Sequence, residues 1–296
     1  MQATRTFEQA DCDMAAAVRR VLDDESLDYA QAKIALDRLV DPGMDSRATF
    51  RLLDRMAKAA KLLAGPNAGT DAKLAALRKL LYRSGPWNEF RPFDYDHSNV
   101  RGADVRVKLI AHYLRTRLGD CVSMPVLVLI LAEKLGIDMA LVSAPFHVFL
   151  RYTSDGGRAI NLEATSGANP VRDEWLRRIR PMSDRAIESG LYMRTLSRSE
   201  GVAQMATIVL QAMMDGGRYE EAIAVSEAIL ERNPRDGLTL ANQSRACFKL
   251  LRTRYLDTYR SAFLIPLSLR PDYQWLLQRN HAAFAAARAL GWEPDG

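Results

Sequence analysis

Apolar residues recur along most of this chain at three- and four-residue intervals, the spacing that lines one face of a helix. Met14 to Leu22 and Ala30 to Val40 show it first, the second through Ile34, Leu36, Leu39 and Val40. Asp41-Pro42-Gly43 ends that stretch, and Asp45 or Ser46 can cap another that runs to about Ala64. Gly65-Pro66-Asn67-Ala68-Gly69 is a break, after which the period resumes from Asp71 to Tyr82. Residues 7–82 are therefore expected to be helical throughout, with packing as their role.

The pattern changes at Ser84. From there to Gly102 the chain is polar and turn-rich yet holds Trp87, Phe90, Phe93 and Tyr95, as a loop folded against a domain does. Asn88, His97 and Asn99 in this loop read as side chains that hold turns. Val105 to Leu118 then reads as a helix, with Gly119 as its left-handed terminator. A second helix follows from about Cys121 or Ser123 to Leu135, stopped by Gly136. Pro125 is tolerated only in a first turn, so Cys121 falls at or just before the helix N-terminus, with Asp120 or Ser123 as cap.

Three β runs come next: Asp138 to Ser143, His147 to Tyr152 and Ala159 to Leu162, with Ser154-Asp155-Gly156-Gly157 as hairpin chemistry between the last two. A turn centred near residues 155 and 156 would bring His147 and Glu163 onto adjacent strands within one residue of direct opposition. Asn169 to Arg180 reads as a short basic helix or loop and Ser183 to Ser189 as a turn of helix. From about Ser199 the chain is expected to be helical to Leu290. There Gly217, Tyr219, Ala222 and Pro234 resemble the tetratricopeptide repeat, although Pro271 follows Pro234 by 37 residues instead of the repeat's ~34.

Composition narrows the class. A chain of 296 residues, 48% hydrophobic and 26% charged, is that of a soluble globular protein. Its net charge of +5 is carried by scattered arginines with no like-charge run, which argues for a solvated surface and against nucleic-acid binding. The first residues hold no apolar segment of signal-peptide length, and no window approaches the roughly 18 unbroken apolar residues of a membrane span. Cys12, Cys121 and Cys247 are far apart and show no metal spacing, so neither a disulfide framework nor a metal or other cofactor is expected. A cytoplasmic protein is expected.

The stretch Gly119 to Gly167 concentrates the chemistry. Cys121 at a helix start meets the positive end of the macrodipole and free backbone N–H groups, which favour a thiolate and can hold an oxyanion. His147 has general-base chemistry, and Glu163 can accept its second N–H and fix the tautomer. Each also has a structural reading, as a core cysteine, a satisfied strand-end histidine and a turn-capping glutamate.

These residues resemble the transglutaminase-like superfamily, of papain-like fold. Its G-x-C, H-x-W and D-P-T are matched by Gly119-Asp120-Cys121, His147-Val148-Phe149 and Glu163-Ala164-Thr165, with Leu135-Gly136-Ile137 before the first strand. The arrangement looks more closely like a bacterial family that pairs such a domain with C-terminal tetratricopeptide-like helices. The resemblance implies an α+β core, a helix plus a small antiparallel sheet, with N-terminal helices and an all-α C-terminal region, divided as residues 1–198 and 199–296. It implies Cys121 as nucleophile, His147 as base and Glu163 as orienter, with Glu for Asp and Phe149 for Trp as departures. The function it implies is cysteine-dependent amide hydrolysis or acyl transfer on a protein or peptide. The alternative is a catalytically relict scaffold that binds a protein partner through its C-terminal helices.

Overall fold

A computed structural model describes residues 14–99 and 102–294; Cys12 and the start of the helical stretch expected from residue 7 lie outside the described residues. Residues 14–23 are helical (α1), followed by α2 (Tyr29–Val40), α3 (Ser46–Ala64) and α4 (Thr70–Tyr82). The remainder runs β1 (Asp94–Tyr95), α5 (Ile110–Thr116), β2 (Leu118–Gly119), α6 (Ser123–Lys134), β3 (Met139–Ala144), β4 (His147–Thr153), β5 (Ala159–Glu163), β6 (Asn169–Val171), α7 (Asp173–Ile179) and α8 (Asp184–Glu188). It closes with α9 (Arg198–Asp215), α10 (Tyr219–Arg232), α11 (Gly237–Leu251) and α12 (Arg270–Ala289). Among the described residues, no helix is long and apolar enough to cross a membrane.

Two compact units emerge. One joins Glu25–Met182 to Tyr192–Met205 and contains the sheet; the other joins, among the described residues, 14–24, Ser183–Leu191 and 206–294, and is helical. The family-level expectation of an α+β core followed by a helical C-terminal region describes this architecture.

In the mixed unit, α6 is apolar on every side, with Ser123 to Ala132 buried without interruption. Such a helix has no face to give to water. It touches α2, α3, α4 and α5 and also strands β3 and β4. Its end follows the sequence closely: Gly136 takes φ 65°, and Ile137 N–H reaches back to the Ala132 carbonyl at 2.9 Å. Strands β3 to β6 form one antiparallel sheet in that order.

The hairpin register differs from expectation. Leu150 faces Leu162 and Tyr152 faces Ile160, because the β4–β5 connection spans five residues, Ser154 to Arg158, closed by a Ser154 N–H to Arg158 carbonyl bond of 2.9 Å. Carried to the strand ends, this register sets Glu163 opposite Phe149, so His147 is its diagonal neighbour on the same face.

The helix expected from Val105 to Leu118 is interrupted. Residues Val105–Lys108 form a 3-10 turn, and α5 begins only at Ile110. The cause is a fully buried ion pair on α2: Lys33 Nζ lies 2.6 Å from Asp37 Oδ1 and donates to the Lys108 carbonyl at 2.9 Å, while Asp37 Oδ2 accepts from Ile110 N–H at 2.7 Å. The pair thus captures two backbone groups that a continuous helix would have used. Burial pushes the Asp37 carboxyl up, against the opposing pull of Lys33. Gly119 is also not the terminator; Arg117 takes the left-handed conformation at φ 62°.

The helical unit ties α1 to α10 through Arg19–Glu231 at 2.8 Å and Arg232–Asp23. The period expected to continue to Leu290 breaks between Arg252 and Leu269, where a π-turn and two 3-10 turns surround Pro266, which cannot donate to a helix.

Removing one member of the Lys33–Asp37 pair leaves the other charge buried and alone. Asp37→Ala should cost about 3–5 kcal/mol in urea unfolding, and the double change Lys33→Met with Asp37→Leu should recover much of that loss.

Candidate active site

Cys121 sits in the turn just before α6, half-buried, with Val122 as the helix cap residue. The preceding Gly119 is required by close approach: a Cβ there would lie 2.6 Å from the Tyr113 ring and 2.7 Å from Ser123 Oγ. β2, which contains Gly119, pairs in parallel with β1, and Asp96 N–H donates to the Gly119 carbonyl at 2.7 Å. This tie brings the aromatic loop beside Cys121. Arg117 fastens the same loop, donating to the Asn88 and Arg91 carbonyls and pairing with Glu89 at 3.0 Å. Asn88 is structural: its Nδ2 donates to the Leu80 and Arg83 carbonyls and its Oδ1 accepts from Gly85 N–H.

The helix start is not left open for the sulfur. Asp120 Oδ1 accepts from Val122 N–H at 2.9 Å and from Ser123 N–H at 3.0 Å, while Ser123 Oγ accepts from Asp120 N–H at 3.0 Å. A carboxylate thus holds the N–H groups expected to favour the thiolate. Burial, followed by the Asp120 charge, pushes the Cys121 thiol up to about 11, against the weaker pull of Lys108 and Arg180. The Cys121 N–H has no hydrogen-bond partner among the described residues.

His147 opens β4, and Glu163 closes β5. His147 Nε2 lies 2.6 Å from Glu163 Oε2, both side chains almost wholly buried. Glu163 Oε1 accepts from Thr165 N–H at 3.0 Å and Thr165 Oγ1 at 2.6 Å, so the glutamate caps the following 3-10 turn as well as meeting the imidazole. Burial pushes the Glu163 carboxyl up, but the His147 and Thr165 bonds outweigh it and hold it below its ordinary 4.5. The other ring nitrogen, Nδ1, is buried and has no hydrogen-bond partner among the described residues.

Cys121 reaches this pair through the β3–β4 turn. Its thiol donates to the Phe146 carbonyl at 3.8 Å, and Phe146 immediately precedes His147. Phe146 follows Pro145 in a two-residue connection and holds φ 51°, a conformation that bulky residues rarely adopt. The Phe146 carbonyl had no sequence signal beyond a Pro between two strands. Phe149, at the tryptophan position of the matched motif, packs fully buried with Val142, Ala144 and Leu176. Beneath the site, Asp120 Oδ2 is buried and likewise unpartnered among the described residues, and the buried Tyr82 and Tyr113 hydroxyls interact with each other. An open groove of about 710 Å³ lies beside β6 and α7, lined by Pro170, Val171, Arg172, Glu174, Trp175 and Arg178; its lining includes none of Cys121, His147 or Glu163.

A family model described as the transglutaminase-like superfamily matches residues 47–205. The UPF0162 protein of Xylella fastidiosa (strain 9a5c) is 23% identical over 256 residues, covering 81% of this chain and 87% of that protein. The UPF0162 protein of Buchnera aphidicola subsp. Schizaphis graminum (strain Sg) is 25% identical over 222 residues, covering 73% and 77%. No solved structure is significantly similar to the chain.

Because Glu163 binds its proton more weakly here than in the unfolded chain, the unfolded state takes up more protons as the solution is acidified. The stability contributed by its bonds should be complete above about pH 4.5 and be lost progressively below it. Urea midpoints between pH 6 and 3 should show this acid limb in the native protein and a shallower one in Glu163→Gln.

Proposed function

The chain belongs to the transglutaminase-like superfamily, and on that premise we propose that it is a cysteine-dependent amide hydrolase or acyltransferase acting through a Cys121 thioester. The observation that carries this reading is the 2.6 Å His147–Glu163 bond, with the opposite ring nitrogen buried and unpartnered among the described residues. With Nε2 committed to Glu163, the imidazole exchanges protons through Nδ1.

Cys121 gives its proton to Nδ1 as the sulfur attacks the carbonyl carbon of the amide. The carbonyl π electrons move to oxygen, and the Cys121 N–H donates to that oxyanion. Collapse breaks the C–N bond, and Nδ1 returns the proton to the departing amine. Water or a second amine, losing a proton to Nδ1, then displaces the sulfur from the thioester. Hydrolysis and transamidation thus differ only in the second nucleophile. A thiol near 11 makes this general-base catalysis, with sulfur deprotonated during attack.

A second reading is a catalytically relict scaffold whose tetratricopeptide-like C-terminal helices bind a protein partner. The raised thiol supports it, as do α10, which starts at Tyr219 and ends before Asn233-Pro234, and the exposed Phe263, Leu264 and Leu267.

Acylation of Cys121 by p-nitrophenyl acetate, followed as a nitrophenolate burst and a mass adduct, separates the two. The enzyme reading expects loss of the burst in Cys121→Ala and a fall of about 10²–10⁴-fold in His147→Ala. A wild-type protein without a burst, losing its bound partners in the double variant Phe263→Ser, Leu267→Ser, would favour the scaffold.

A further inference from the structure

Arg180 lacks the side-chain partners that hold Arg151, Arg194 and Arg198 of its unit. Arg151 is held by Asn161, Met193 and Thr195, Arg194 by Glu200, and Arg198 by Glu133. The half-buried Arg180 has only its backbone N–H engaged, with the Leu176 carbonyl at 2.8 Å; its guanidinium makes no ion pair or hydrogen bond among the described residues. Its position follows from its neighbours. Leu176 is buried among Val142, Ala144 and Phe149, and Met182 packs against the same cluster. Arg180 lies between these anchors, and Ala144 pairs with His147 across the β3–β4 turn whose Phe146 carbonyl meets the Cys121 thiol. The guanidinium charge acts on both Cys121 and Tyr95. Of the nearby carboxylates, Asp120 holds the α6 amides through Oδ1, and Glu163 holds His147 and Thr165.

We propose that Arg180 binds a carboxylate of the substrate beside the carbonyl that Cys121 attacks, so that the acyl donor is a carboxyl-bearing one. The assignment rests on the reading of Cys121 as nucleophile. A planar guanidinium receives a carboxylate through two parallel N–H donors, which also fixes the orientation of the acyl group.

The charge of an alkylating agent tests this without turnover. Full-length protein is treated with iodoacetate or iodoacetamide at low salt, and peptide mass mapping separates Cys121 from Cys12 and Cys247. At Cys121 the iodoacetate-to-iodoacetamide rate ratio should exceed that of glutathione by about tenfold, saturate with iodoacetate and be suppressed by succinate. It should fall about tenfold in Arg180→Gln and be kept in part by Arg180→Lys, which retains the charge but not the fork. A wild-type ratio equal to that of glutathione, or one unchanged in Arg180→Gln, overturns the proposal. An acylation burst with a flat ratio would reject the role of Arg180 alone, whereas a raised ratio without a burst would reject acyl transfer alone.

Discussion

The mixed unit depends on burying one helix completely. Ten successive residues of α6, Ser123 to Ala132, are out of water. Each fully buried Leu, Ile or Val among them contributes about 1.5–3 kcal/mol relative to exposure. A helix of this kind cannot lie on a surface, so four helices and the sheet are arranged around it. The Lys33–Asp37 pair belongs to the same constraint: it lets a charged α2 reach the interior and, by taking the Lys108 carbonyl and the Ile110 amide, sets where α5 begins.

An apolar helix concentrates polar demands at its ends. At the start of α6 the first free N–H groups must be met inside the protein, and Asp120 meets them. Burial first, and then the Asp120 charge, raise the neighbouring thiol, so the helix start stabilises the fold at the expense of a resting thiolate. The sulfur is turned to the Phe146 carbonyl, at the mouth of a strained turn that also delivers His147. Glu163 resolves the competing demands at the other strand end by giving one oxygen to Thr165 and the other to the imidazole.

Much of the architecture was legible along the chain. The breaks at Pro42-Gly43 and Gly65 to Gly69, the Gly136 terminator and the three β runs all rest on local physics, namely backbone freedom, capping and side-chain period. The glutamate two residues before Thr165 was readable as a turn cap for the same reason. The interrupted helix at Lys108 was not, because a contact about 75 residues away in sequence decides it. The hairpin register was missed through loop length: five connecting residues, where a tight turn was read, move every strand pair.

By itself, the sequence determined that a cysteine stands at the start of an apolar helix and that a histidine and a glutamate stand at strand ends, because periodicity and proline placement are local properties. Only the tertiary structure decided that His147 meets Glu163 through Nε2, that Asp120 occupies the helix start, and that the Arg180 guanidinium makes no ion pair among the described residues. Hydrogen bonding and desolvation act over a few ångströms of space, and segments far apart in the chain supply the groups involved.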